Sequence, residues 1–299
     1  MSTFLLPFAI FTTLFFWASA FVGIRLGLSD FSPGALALYR FFVGSLILSV
    51  VIGSLQKLPS VSTKHRIQLM LVGVFAIGVY NFCLNYGEIN IDAGVASFII
   101  GQVPVITIIL SVVLLREKLP WRSWIGILLS IIGLMVIAMG NRKGAFIDAN
   151  VLIIMIASAC GAFYTLTQRR YLKFYHPVSV TTWVMWGGTL SLLVFFPQLV
   201  AEIKQSSLQG NLTVIYLGIG PAALAYLGWC YILNRMPVSK AALYLYGLPL
   251  ISTILGFIIL HESPSPMGLI GGLMAILGAV LASYYLRQQP LRSATQQSE

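Results

Sequence analysis

Charge is what this sequence has least of. Only 9% of its 299 residues are Asp, Glu, Lys or Arg, against about 25% in an ordinary soluble domain. A water-facing surface cannot be covered with so little charge. That excludes a soluble enzyme, a secreted disulfide scaffold, a disordered regulator and a nucleic-acid binder together. Cysteine is scarce as well. Cys83, Cys160 and Cys230 are odd in number, far apart and set in apolar runs, so they read as small apolar filler and not as a disulfide framework. The three histidines, His65, His176 and His261, all fall between apolar runs, and no HExxH pair is present. Hydrolytic metal chemistry therefore lacks ligands, and no metal, cofactor or enzymatic activity is expected. A filter-like repeat and a ring of charges are also missing, which disfavours a channel.

What the chain has is hydrocarbon. Hydrophobic residues make up 58% and the mean hydropathy is +0.91. A helix needs about 20 apolar residues to cross a bilayer core. That ruler yields ten spans, at 4–24, 33–53, 67–87, 94–115, 121–140, 149–168, 178–199, 212–233, 238–260 and 266–286. Short connections join them, with turn formers such as Ser32-Pro33-Gly34, His176-Pro177 and Ser263-Pro264-Ser265-Pro266. The first span resembles a signal peptide ending at Ala18-Ser19-Ala20, but no basic residue precedes it and the repeat described next needs it as a helix.

The two halves repeat. A shift of 145 residues lays Gly73 on Gly218, Tyr86 on Tyr231, Ala96 on Ala241, Pro104 on Pro249, Glu117 on Glu262, Gly126 on Gly271 and Gly133 on Gly278. Nearer the start the shift shortens slightly, laying Ala20-Phe21 on Ala162-Phe163 and Gly44 on Gly188. Five spans per half is an odd number, so the second half enters the membrane from the opposite side: an inverted repeat. The basic residues agree. With the N-terminus cytoplasmic, thirteen of the 18 Lys and Arg fall in cytoplasmic segments, among them Lys57, Arg66, Arg116, Lys118, Arg170, Arg235, Lys240 and Arg292. Outside are Arg25, Arg142, Lys143 and Lys204. The net charge of +10 is thus a topology signal and calls for no nucleic acid. The expected organisation is a first repeat at 1–142, a second inverted repeat at 147–287 and a disordered cytoplasmic tail at 288–299. Both termini face the cytoplasm of a bacterial inner membrane.

Trp17-Ala-Ser-Ala-Phe-Val, Arg40-Phe41, and the paired Pro104…Glu117 and Pro249…Glu262 segments resemble the EamA family of the drug/metabolite transporter superfamily. The resemblance covers nearly the whole chain. It implies an all-α polytopic membrane protein of ten helices, eight forming a basket around a central cavity, with the fifth and tenth at the periphery. It also implies a small-molecule carrier, with export of an amino acid or similar metabolite as the first reading. An uptake carrier or exchanger for another metabolite or drug-like compound is the alternative.

Polar groups inside a span are expensive, so each is a candidate site residue. Asn81 and Asn85 share a face of the third span, and their counterparts are Tyr226 and Cys230. Gln102 precedes Pro104, and Tyr246 precedes Pro249. A buried proline frees a carbonyl about one turn earlier, and disturbed backbone at matched positions points to a transporter site. Trp17, Phe21, Tyr164, Gln168 and Tyr244 add aromatic and amide groups at comparable depth. Arg40 is the one basic residue placed firmly inside a span, suited either to a substrate carboxylate or to helix-end carbonyls. Glu117 and Glu262 read as caps or turn ties, a proton relay being the alternative. All acidic residues fall at span ends or in loops, so a facilitator or exchanger without an obvious coupling ion is expected. Gly268, Gly271, Gly272 and Gly278, with Gly126 and Gly133, offer faces for internal docking or for a weak homodimer.

Overall fold

In a computed structural model of the chain, the described residues are 2–54, 60–115, 119–140, 148–236, 241 and 244–287. The loop charges Lys57, Arg116, Lys118, Arg142, Lys143, Lys240 and Arg292, the residue Glu117 and the tail at 288–299 lie outside them. Helices dominate, and the described residues hold no strand. Eight helical segments are long and apolar enough to cross a membrane. They are α1 (Leu5–Gly27), α2 (Pro33–Ser54), α3 (Thr63–Gly87), α4 (Ala93–Leu110), α6 (Ala149–Gln168), α7 (Pro177–Ile203), α8 (Leu208–Arg235) and α10 (Pro266–Tyr285). Two shorter apolar helices, α5 (Trp121–Ile137) and α9 (Leu245–Leu260), lie between them in sequence. Their outer faces carry large apolar side chains such as Phe11, Val50, Val194 and Leu277, as lipid-facing helices do.

Helix starts follow ordinary capping chemistry. Ser62 accepts from the His65 N–H at 3.4 Å, Asp148 from Asn150 at 2.9 Å and Ser207 from Gly210 at 2.9 Å.

Counterpart helices of the two halves pack against each other in opposite directions. Ser45 of α2 bonds to its own counterpart, Thr189 of α7, at 2.8 Å, and Trp186 Nε1 donates to Ser49 at 2.8 Å. Ser130 of α5 donates to the carbonyl of its counterpart, Ala275 of α10, at 2.9 Å. Around that point a Cβ on Gly126 would meet Ala282 N at 2.3 Å, and one on Gly133 would meet Ala275 N at 2.4 Å. Rising numbers on one helix meet falling numbers on the other, the pairing an inverted repeat produces. The glycine faces are therefore used inside the molecule, where bare backbones approach closely.

Two further glycine crossings are related in the same way. A Cβ on Gly73 of α3 would strike Val184 O of α7 at 2.0 Å, and one on Gly218 of α8 would strike Arg40 O of α2 at 2.8 Å. The helix widens into a π segment just after Gly73, at Val74–Val79, and from Gly218 itself, at Gly218–Leu224. α4 and α9 are also disturbed at matched places. Residues 101–102 form a turn before Pro104, and Leu245–Gly247 form a 3₁₀ turn before Pro249. In each copy the disturbed turn ends two residues before the proline.

The two ends of the molecule are fastened differently. At one end carboxylates join the halves. Arg25 Nε donates to Glu262 Oε1 at 2.8 Å. Asp30 accepts from the Ser207 N–H and hydroxyl at 3.0 and 2.8 Å, and Glu202 accepts from the Ser32 N–H at 2.9 Å. At the other end the ties are aromatic. His65 Nδ1 and the Tyr175 hydroxyl lie 2.7 Å apart, and the Arg66 guanidinium lies 4.4 Å from the centre of the Trp183 ring.

Candidate functional site

Between the halves lies a cavity of about 80 Å³. Aromatic rings form most of its wall. Trp17 of α1 meets Tyr226 and Trp229 of α8 with ring centres 5.4 Å apart in each case, and Tyr164 of α6 lies 6.0 Å from Tyr226. Tyr226 and Trp229 are three residues apart and so face the same way. Phe21, Arg40, Tyr80, Asn81 and Thr165 complete the polar and aromatic lining, and small residues at Ala20, Ala76 and Gly161 leave the space open. Ala76 belongs to the π segment of α3. Wide turns of this kind recur at functional sites because they re-aim the side chains beyond them.

Arg40 is the unusual member. It is 3% exposed, and its Nε and Nη1 have no hydrogen-bond partner. The guanidinium carbon sits 4.9 Å from the centre of the Phe41 ring. A buried polar group without a partner costs free energy, of the order of 1–3 kcal/mol and more when charged. Asn81 Oδ1 and Asn85 Oδ1 are buried without partners too. The cavity wall thus holds one acceptor, Asn81 Oδ1, and a cation whose hydrogen bonds are left for something other than protein.

The sequence-predicted residues divide. Trp17, Phe21, Arg40, Asn81, Tyr164 and Tyr226 line the cavity together. Asn85, one turn further along α3, donates to the Pro33 carbonyl at 3.0 Å and ties α3 to the start of α2. Gln102 is taken up by structure: its Oε1 accepts from Ser130, and its Nε2 donates to Phe98 O at 3.4 Å. Gln168 Oε1 accepts from Cys230 at 3.3 Å, behind Tyr164. Tyr244 is 44% exposed, and the Tyr246 hydroxyl lies 3.4 Å from Ser283 of α10. Those five residues do not line the cavity. Pro104 and Pro249 are buried at the helix breaks, where neighbouring Val103 and Leu248 reach the wall.

Tyr80 and Trp229 were missed. Both are single aromatic residues on helices already rich in them, and only the packing distinguishes a cavity wall from a membrane anchor. The signal available was Trp229's spacing from Tyr226.

Two acidic positions go beyond the reading of the sequence. Glu88 lies in the turn after α3, as the sequence places it, but it is fully buried there, and neither carboxylate oxygen has a partner. Burial pushes its carboxyl well above the ordinary carboxylate range, against the pull of Arg25 and Arg40, while Glu262 adds to the rise. Glu262 does not cap its own following helix. A left-handed residue, His261 (φ 55°), turns the chain so that Glu262 binds Arg25 and caps α4 through the Ala93 N–H at 3.0 Å. Among the described residues no group of three or more His, Cys, Asp or Glu side chains is arranged to hold a metal ion.

The profile of the EamA-like transporter family matches residues 5–139 and again residues 149–284. The chain belongs to that family. A Bacillus subtilis (strain 168) protein named "Uncharacterized transporter YdfC" is similar to this EamA chain at 32% identity over 269 residues, covering 90% of it and 87% of the relative. A "Probable terminal-alkyne amino-acid exporter" of Streptantibioticus cattleyicolor is 30% identical over 273 residues, 91% of each chain. A solved crystal structure matches with a TM-score of 0.63 at 20% identity, covering 94% of this chain and 97% of the other, which supports the fold. This EamA protein is therefore a multi-pass membrane transporter. The doubled profile match coincides with the two copies seen in the packing.

Proposed function

We propose that this EamA protein carries a small carboxylate-bearing metabolite, an amino acid or a close analogue, through the central cavity by alternating access. The observation that carries the reading is Arg40. A fully desolvated guanidinium with two free donor nitrogens on an aromatic cavity wall is a carboxylate receptor by its chemistry. The aromatic walls of Trp17, Tyr164, Tyr226 and Trp229 suit an apolar body, and Asn81 and Tyr80 supply hydrogen bonds. The volume favours a compact solute. Export is the direction stated in the name of the Streptantibioticus cattleyicolor relative. The glycine faces are spent on internal packing, which favours one chain as the working unit; the distribution of Lys and Arg favours a bacterial cytoplasmic membrane with both termini cytoplasmic.

The test is a thermal-shift screen of the purified protein against single amino acids and their amides. A ligand that binds the folded state raises Tm by mass action. Hits should lose at least about tenfold in affinity in Arg40→Gln, since a charged hydrogen bond is worth about 1.5–3 kcal/mol. Amides should bind no better to the wild type than acids bind to the variant. Equal binding of acid and amide would overturn the carboxylate assignment.

A further inference from the structure

Asn81 and Asn85 on α3 and Glu88, the residue that ends it, lie at i, i+4 and i+7, on one face running from the cavity to the carboxylate-rich end. The side-chain oxygens of all three that face no protein partner are Asn81 Oδ1, Asn85 Oδ1 and both oxygens of Glu88. An ionised carboxylate in this position has lost its water and gained no hydrogen bond, a cost that a single proton removes.

The charged groups around Glu88 come from several elements. From α1, Arg25 Nη1 donates to the main-chain carbonyls of Glu88 and Ile89 at 2.6 and 3.0 Å, while Arg25 Nε is held by Glu262. Asp92, at the start of α4, feels the same Arg25 and Glu262. Tyr80 lies on α3 itself and Arg40 on α2, both within electrostatic reach. α6 brings Ile154 and the Asn150 carbonyl against neighbouring Gly87. Arg25 is thus occupied by one carboxylate and two carbonyls. Among the described residues no carboxylate forms an ion pair with Arg40, and it acts on Glu88 through the interior.

We infer that Glu88 is a proton-binding site linked to the cavity through Arg40. Ionised Glu88 offsets the Arg40 charge from a distance. A proton on Glu88 frees that charge for a carboxylate in the cavity, and a carboxylate seated on Arg40 draws a proton onto Glu88. The linkage is reciprocal by thermodynamic necessity. It gives the carrier a coupling ion where the loop placement of its acidic residues had suggested none. The solute half rests on the transport reading above, while the proton half stands on the buried pair alone.

Isotope-edited infrared spectroscopy of the protein in lipid nanodiscs, with ¹³C-labelled glutamate, tests the proton half without any solute. Of the five glutamates, one should keep its carboxylic-acid C=O band at a pH where exposed glutamates are ionised, and lose it as pH rises further. That band should be absent in Glu88→Gln. In Arg40→Gln its midpoint should rise, by about tenfold or more in proton affinity, and Arg40→Lys should restore it toward wild type. A wild type with no such band, or a midpoint that Arg40→Gln leaves unmoved, overturns the inference. If Glu88→Gln fails to fold, the labelled wild type and the two Arg40 variants decide. A titrating band together with acid and amide binding equally would retain the proton site and remove the solute reading. The converse pattern would do the opposite.

Discussion

At the scale of single residues, the interior is organised by groups whose hydrogen bonds are unmade. Removing a buried charge that offsets another strands the one that remains. Here Arg40→Gln strands Glu88, which escapes by taking up a proton, so the loss of stability should be small at acidic pH and larger as pH rises. The sign follows from Glu88's raised proton affinity. Stability linked to such a carboxyl is intact below the ordinary carboxylate range and declines as pH climbs toward its folded value. Thermal unfolding of Glu88→Gln should accordingly vary less between neutral and alkaline pH than that of the wild type. Asp30 behaves oppositely. The Ser207 N–H and hydroxyl hold its carboxyl below the usual range, so its clasp should loosen as pH falls through that range. Asp30→Asn should remove that part of the acid sensitivity. The sequence made Arg40, Asn81, Tyr164, Tyr226, Trp17 and Phe21 legible because polar and aromatic groups in a span are rare or costly. It could not separate them from Gln102 and Gln168, whose bonds run to Ser130 and Cys230 on other helices. That distinction depends on partners far along the chain.

At the scale of elements, composition and spacing revealed the helices and the repeat, since apolar length and self-similarity are written along the chain. Glu88 was hidden because a loop position in sequence says nothing of what covers it. The packing of α5 on α10 is the element-level feature most open to test. Gly133→Val would drive a branched side chain into the Ala275 backbone, which has no flexible end to yield. It should cost roughly 1–3 kcal/mol, read as a lowered Tm in detergent, with the cavity's ligand profile unchanged. A similar loss of affinity without loss of Tm would contradict the separation of that pair from the cavity.

At the scale of the whole molecule, the halves are latched by carboxylates at one end and by aromatic contacts at the other. Breaking the Arg25–Glu262 bridge with Glu262→Gln should open the first end. A cysteine introduced as Leu84→Cys, on the cavity wall and on the part of α3 that runs toward that end, would then react faster with a membrane-impermeant maleimide applied from that side. Unchanged labelling would mean that the bridge holds α4 in place and does not gate the cavity.

The wide turns after Gly73 and Gly218 have a consequence for such a machine. Each holds a residue more than an α-helical turn needs, and tightening it would swing whatever follows by roughly 100° about the helix axis. Asn81 in one copy and Tyr226 in the other lie just downstream, so a twist, with no sliding of the glycine seams, would carry the grip off its cargo. Deleting Ile77 or Ile219 should jam that clutch: such a protein would still show ligand-induced stabilisation but exchange its cargo slowly.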